Sequence, residues 1–507
     1  MIGLLVGDLV VLLAGHAALR LGSRRWPHRT FGLLGALGLC WLAGVATLGV
    51  VTTLVAVLGG PTTPLPLIAP LLGLLAAAGI IPDRRRGAGA TGRQDRPAAR
   101  TVQLGDLVCG LIAAGVAART AALAARIPVA SNDEYAIWQV RARTLSQLGT
   151  LDPRVFTDTG AAYQHQNYPL FFPSLVAWGD GWVGRPSDAA AHFAVAAILG
   201  ALLATTGWAI GRLAGPLAAV AAVALVASMP TVLSRQSLLL MADVPVFAFG
   251  LALALVLLLW LRHPGRALLV VAAMLGAGAV GTKVEGALFA GSTFFAALLL
   301  ARGHRRGLVV AATVAVLANL PWLVYSQVHH LRNWIANRDT LNSRHMRDVL
   351  PFTGHVLHGV VDRWPGADGV VGIVLALSVI PAAVLAMCNG GKRAVAFIAV
   401  VVALDVLVLI AQYVVSAYGP ATDPTARQWL DSQLRVTVYR IALVPASLLM
   451  IATPLLASLG LAGRDDQPAA TEPARTVPGS REPMVPIDEA LKKTSAWMRD
   501  ATSGTVQ

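Results

Sequence analysis

Two adjacent carboxylates are the residues of this sequence best placed to do chemistry. Asp133 and Glu134 lie in Ser131-Asn132-Asp133-Glu134-Tyr135-Ala136-Ile137-Trp138, a few residues past the end of an apolar run. A carboxylate within reach of a hydroxyl can take its proton as the oxygen attacks. The local alternative is a helix start. Ser131-x-x-Glu134 matches a capping box, and acids suit the positive end of a helix. That alternative accounts for Glu134 better than for Asp133, which can sit at the same terminus and still face a cavity. The residues that follow carry Ile137, Val140 and Leu148 in an amphipathic pattern, which predicts a helix lying along a membrane surface.

Other polar residues stand out against apolar surroundings. Tyr163-Gln164-His165-Gln166-Asn167-Tyr168-Pro169 is a polar cluster ahead of a Pro-bounded apolar segment. Its His165 could act as acid, base, ligand or hydrogen-bond donor, or be a plain loop histidine. Asp243, in Met241-Ala242-Asp243-Val244-Pro245, opens a long apolar run, where a carboxylate is expected to face protein or water. A capping role is the alternative, since Pro245 sits at an early helical position. Lys283 and Glu285 lie between two apolar runs in Gly281-Thr282-Lys283-Val284-Glu285-Gly286. A lipid phosphate would suit Lys283, and so would an ion pair with Glu285 or Asp243. Arg435 and Arg440 open the last apolar run, five residues apart and so off a common helical face. An arginine fork matches a phosphate in two places at once. Arg235 has weaker context. His329, His330, Arg332, Trp334, Arg338, His345 and Arg347 match no zinc spacing and read as an aromatic and basic surface.

The elements that must position these residues are membrane helices. Of 507 residues, 56% are hydrophobic and only 13% charged, about half the charge of an ordinary soluble domain. Apolar runs of about 20 residues, enough to cross a bilayer, fall near 2–21, 31–58, 65–82, 104–125, 188–211, 216–233, 243–261, 267–282, 286–301, 307–325, 370–388, 395–417 and 436–460. The first is weak, interrupted by Asp8, His16 and Arg20, and has no basic leader region. The fold class expected is all-α: a polytopic membrane protein with about 13 spans and external loops carrying short interfacial helices.

The net charge of +14 does not form a basic stripe, so nucleic acid is not an expected partner. The arginines cluster instead between alternate runs: Arg24, Arg25 and Arg29; Arg84 to Arg86, Arg93, Arg96 and Arg100; Arg262 and Arg266; Arg302, Arg305 and Arg306; then Lys392 and Arg393. If all thirteen runs cross, these fall on one side, which the positive-inside rule makes the cytoplasm. The loops 126–187, 326–369 and 418–435 then face outward. They hold most of the candidate chemistry, and Lys283 is the one lysine off the cytoplasmic face. Cys40, Cys109 and Cys388 lie in or beside apolar runs and suggest no disulfide framework. The organisation read from the chain is an N-terminal membrane piece (1–103), a core (104–325) with its first external loop (126–187), a second external loop (326–369), C-terminal spans (370–462) and a polar, Pro-rich cytoplasmic tail (463–507).

In order and in shared external side, these motifs resemble the GT-C membrane glycosyltransferases. They are most similar to the protein O-mannosyltransferase and aminoarabinose transferase group. The acidic pair 133–134, the His-x-x-Tyr-Pro stretch at 165–169, Met-x-Asp-x-Pro at 241–245 and Thr-Lys-x-Glu-Gly at 282–286 carry the likeness. It covers roughly 104–300 and, more loosely, the arginines near 435–440. Residues 1–103 do not share it. The resemblance implies a polyprenyl-phosphate sugar donor and an acceptor hydroxyl on a glycan, lipid or protein of the envelope, at the outer face of the cell membrane. It makes Asp133 the catalytic carboxylate, Glu134 its companion, Asp243 the later acid and Lys283 the donor's basic contact. His165 stands farther from its proline than the group's histidine usually does, which weakens its assignment. Displacement would invert the anomeric carbon, with Lys283 and Arg435 or Arg440 steadying the departing phosphate. No cofactor is implied with certainty; a divalent cation bridging phosphate and acids such as Asp243 stays open. The reading from a different class is a transporter or flippase, in which Asp405, deep in an apolar run, would matter most.

Overall fold

A computed structural model describes residues 2–24, 27–80, 104–129, 133–151, 165–229, 238–301, 303–331, 343–364, 370–417 and 419–465. Within these the chain is all-helical, with no strand. In chain order the helices are α1 (Ile2–Ser23), α2 (Pro27–Val57), α3 (Pro64–Ile80) and α4 (Leu104–Ala124). A short turn α5 (Val140–Arg143) follows, flanked by π-helical stretches Glu134–Gln139 and Thr144–Leu148. Then come α6 (Phe171–Val183), α7 (Asp188–Ala214), α8 (Pro216–Ser228), α9 (Asp243–Arg262), α10 (Arg266–Thr282) and α11 (Val284–Leu300). The chain continues with α12 (Arg305–Leu317), α13 (Leu320–Val328), α14 (Ser343–Val349), α15 (Thr353–Asp362), α16 (Val370–Cys388), α17 (Lys392–Ser416), α18 (Pro424–Ile441) and α19 (Leu443–Asp465).

Seven described helices are long and apolar enough to cross a membrane: α1, α2, α4, α7, α9, α17 and α19. An eighth crossing is available if α12 and α13, bent by 42° at Ala318 and Asn319, act as one. The apolar runs at 65–82, 267–282 and 286–301 form 17-residue helices, and that at 216–233 a described helix of 13. At 1.5 Å rise per residue, 17 residues reach about 25 Å, short of a 30 Å hydrocarbon layer. The final run is also redrawn. Arg435 and Arg440 belong to a separate polar helix, α18, and the apolar helix begins only at Leu443.

One helix organises the rest. From Asp243 to Leu261 every residue of α9 is buried, an all-round apolar surface that only a central position can satisfy. Helices α7, α10 and α11 pack around it. Small residues allow close crossings, as expected where van der Waals fit rather than water drives association. At the α1–α2 crossing, a side chain on Gly44 would stand 2.0 Å from the Val11 carbonyl oxygen. Helix ends are tied by polar groups reaching backbone carbonyls: Arg20 to Ala78, Arg262 to Leu213 and His192 to Ala124. Each tie joins ends that share a side when successive helices alternate in direction.

The segment expected to lie on a membrane surface turns much of its apolar face to protein. Ile137, Trp138, Arg141, Ala142 and Leu145 are buried, and the segment packs against α6. Its π-helical turns shift the angular phase of successive residues, which the regular period of the sequence could not convey.

Candidate functional site

The first turn of the central helix carries Asp243, 5% exposed. It is not a helix cap, since Ala242 holds that position and both carboxylate oxygens are engaged by cations. Lys283 Nζ donates to Oδ1 at 3.0 Å. Arg440 donates to Oδ2 from Nε at 2.8 Å, and its second nitrogen stands at the same distance. Lys283 also lies 3.4 Å from Glu285 Oε1, and Arg440 reaches outward to Asp133 Oδ2 at 3.5 Å. Five charged side chains, three acids and two bases, thus form one network across four separate parts of the chain.

Local sequence explains how each is placed. Lys283 takes an extended backbone between α10 and α11, so it breaks one helix and starts the next. Its carbonyl accepts the Gly286 N–H at 3.0 Å. Gly286 permits the tight hairpin: a Cβ there would come within 2.1 Å of the Ala279 carbonyl oxygen. Arg440 sits in the last turn of α18, just before the break that starts α19. Arg262 and Arg266 lie at the opposite ends of α9 and α10, so the network occupies the helix ends away from those arginines.

Burial grades across the network. Lys283, Glu285 and Arg440 are buried, whereas the Asp133 side chain is 40% exposed. The cleft bounded by Asp243, Lys283, Glu285, Phe289 and Arg440 holds only about 10 Å³, room for about one water. A sugar does not fit between these residues as they stand. Asp133 does not line this cleft; it is the exposed acid of the network, reached through Arg440.

An aromatic wall completes the site. Tyr168 is 4% exposed, stacks on Trp138 at 5.5 Å and on His165 at 4.5 Å, and turns its ring toward Lys283, 5.9 Å away. Arg141, fully buried, donates to the carbonyls of Tyr168, at 2.7 Å, and His165. Trp322 donates to the Asn167 carbonyl at 2.9 Å. His165 adopts a left-handed backbone, φ 60°, uncommon for a residue with a Cβ. Burial, assisted by the Lys283 charge, pushes its imidazole down to about 4, so the ring is neutral near pH 7.

Several residues singled out in the sequence do not join this network or lie outside the described residues. Glu134 is 3% exposed and accepts the Leu240 N–H at 2.5 Å, bracing the approach to α9. Asp133 makes no side-chain capping bond, and the Ser131 of the capping pattern lies outside the described residues. Arg435 does not join the network. It is exposed, on a groove with Arg427, Gln428 and Asp431, because five residues of helix turn it about 140° from Arg440. Tyr163, Gln164, Arg235, Arg332, Trp334 and Arg338 lie outside the described residues. Gln412, not among the residues singled out in the sequence, donates from Nε2 to Glu285 Oε1 at 3.3 Å from the last turns of α17. A lone glutamine in an apolar run was the available signal. Among the described residues no group of three His, Cys, Asp or Glu side chains could hold a metal ion, and Asp243 has no oxygen uncommitted to a cation.

Compared with family models, curated proteins and solved structures, the chain matches none.

Proposed function

We propose that the chain is a multi-pass membrane glycosyltransferase. It would move a sugar from a polyprenyl-phosphate donor to an acceptor hydroxyl at the outer face of the cell membrane. The observation that carries the reading is the Asp133–Arg440 pair. A half-exposed carboxylate and a buried guanidinium face each other at the exposed edge of an ion network. In this reading Asp133 accepts the proton of the attacking hydroxyl. The acceptor oxygen bonds to the anomeric carbon, the bond from that carbon to the phosphate oxygen breaks, and the phosphate leaves with the electron pair. Attack from the face opposite the phosphate inverts the centre. Arg440, whose terminal nitrogen points to Asp133, steadies the departing charge. Asp243 becomes a positioning residue that holds Arg440 and Lys283, and the His165–Tyr168–Trp138 stack walls the sugar.

The proposed topology keeps thirteen crossings, with the bilayer thinning locally around the 17-residue helices. Its support for an outward-facing network is the set of basic residues at the far helix ends, Arg262, Arg266 and Lys392 among them. The test is incubation of membranes with a labelled polyprenyl-phosphate sugar. Label passing to a product in the wild type and not in Asp133→Asn is the expected result. Full transfer by Asp133→Asn overturns the mechanism.

One observation favours the transporter reading. Asp405 is fully buried in the middle of α17, beside the Ser292 hydroxyl of α11. Solute crossing sealed vesicles without any product, lost in Asp405→Asn, would select it.

A further inference from the structure

At the helix ends opposite the ion network the structure holds a second, larger cleft. It measures about 640 Å³, within the range of sites that bind small ligands. The start of α2, the end of α7 and the turn from α9 to α10 enclose it, and Arg212, Arg266, His263, Trp208 and Phe31 contribute to its walls. Among the described residues no acid lines it. Among the described residues Arg266 forms no ion pair.

Trp208 supplies an independent observation. It is only 6% exposed, packs edge-to-face with Phe31 at 5.5 Å, and among the described residues its indole N–H has no acceptor. A buried donor without a partner is costly, and an oxygen-rich anion in the cleft would supply the acceptor after a small ring movement. The remainder of the wall is mixed: Ser23 and Thr30 add hydroxyls, and Leu259, Ala267 and Leu268 add apolar surface. A wall that combines two arginines with apolar side chains suits an amphipathic ligand, and basic pockets between membrane helices are where anionic headgroups settle.

We infer that this cleft binds a phosphate group, carried by the headgroup of an anionic lipid, through Arg212, Arg266 and the Trp208 indole. The inference does not depend on the transferase reading, because the cleft lies at the other end of the bundle.

The test uses the full-length protein in detergent and native mass spectrometry with added phosphatidylglycerol, phosphatidylcholine or inorganic phosphate. Wild type is expected to retain phosphatidylglycerol well above phosphatidylcholine. Arg212→Gln with Arg266→Gln is expected to lower that retention about fivefold per arginine, the ratio for about 1 kcal/mol per basic residue at an anionic surface. A control that removes the same charge elsewhere, Lys392→Gln with Arg393→Gln, should retain the lipid. Equal retention of the two lipids, or equal loss in both double variants, overturns the site. Inorganic phosphate bound as tightly as the lipid, and lost in the Arg212 and Arg266 pair, supports the phosphate chemistry and assigns it to the free ion. Trp208→Phe keeps the ring and removes the donor; undiminished retention in that variant overturns the part given to the indole.

Discussion

Arg440 holds Asp243 across 197 residues of sequence, from the last turn of α18 to the first turn of the central helix. Both partners are buried, and removing either leaves the other with one weaker or shared partner, Lys283 for Asp243 and the half-exposed Asp133 for Arg440. Removing one partner of a buried pair destabilises by about 3–5 kcal/mol, even where the pair itself is worth little against an apolar substitute. Arg440→Met should therefore lower the midpoint of unfolding in detergent strongly, and Asp243→Asn should restore part of the loss in that background. A double-mutant cycle should return a coupling of about 1 kcal/mol or more. Additive effects would show that the pair is not energetically joined. Arg435→Gln, on an exposed groove, should shift the midpoint by no more than about 0.5 kcal/mol.

Asp133 and Asp243 should separate in a second way. Asp133 is half-exposed and meets Arg440 at 3.5 Å, so Asp133→Asn should cost about 1 kcal/mol or less in stability. If it is the base, transfer should fall about 100- to 10,000-fold while the protein purifies normally. Asp243→Asn should show the converse emphasis, with loss of folded protein preceding any specific loss of rate. Paired measurements of monodisperse yield and initial rate decide it. A variant at 133 that misfolds, or one at 243 that folds well and keeps its rate, contradicts the division.

The sequence revealed which residues were out of place, and less about what they touch. Asp243, Lys283 and Glu285 were conspicuous because charge beside apolar runs needs a reason, and the network supplies one. Arg435 and Arg440 were inseparable by composition. Their difference lies in the rotation of α18, fixed by packing of Leu430, Leu434 and Val438. Helix content was legible from length and hydropathy, but crossing number was not. The bend at Asn319 and the break at Ala442 each precede a proline, Pro321 and Pro445, a local signal that a window average of hydropathy does not register. Gln412 stood out only as a lone glutamine in an apolar run, and its meaning depends on Glu285, 127 positions away.

Glu134 offers a test of bracing against chemistry. Its Oε1 accepts the Leu240 N–H, and nothing in the proposed transfer uses it. Glu134→Ala leaves that buried donor unmet and should destabilise by about 1–3 kcal/mol. Glu134→Gln retains an acceptor oxygen and should recover most of the loss. If activity per folded molecule stays near wild type in Glu134→Gln, the residue is a brace. A large loss of rate at full stability would place it in the reaction.

His165 makes stability depend on pH in a defined window. Its imidazole titrates near 4 in the folded chain, because burial and then the Lys283 charge oppose protonation. In the unfolded chain it titrates at about 6.5. Between those values the unfolded state binds the extra proton, so stability rises with pH and is lost as pH falls from about 6.5 toward 4. Wild-type unfolding midpoints should drop across that interval, and His165→Gln, which cannot take the proton, should drop less. The comparison is of slopes between pH 7 and 4.5, so other acids titrating in the same range cancel. Parallel slopes in the two proteins would show that His165 stays accessible to protonation, and that the stack with Tyr168 does not hold it neutral.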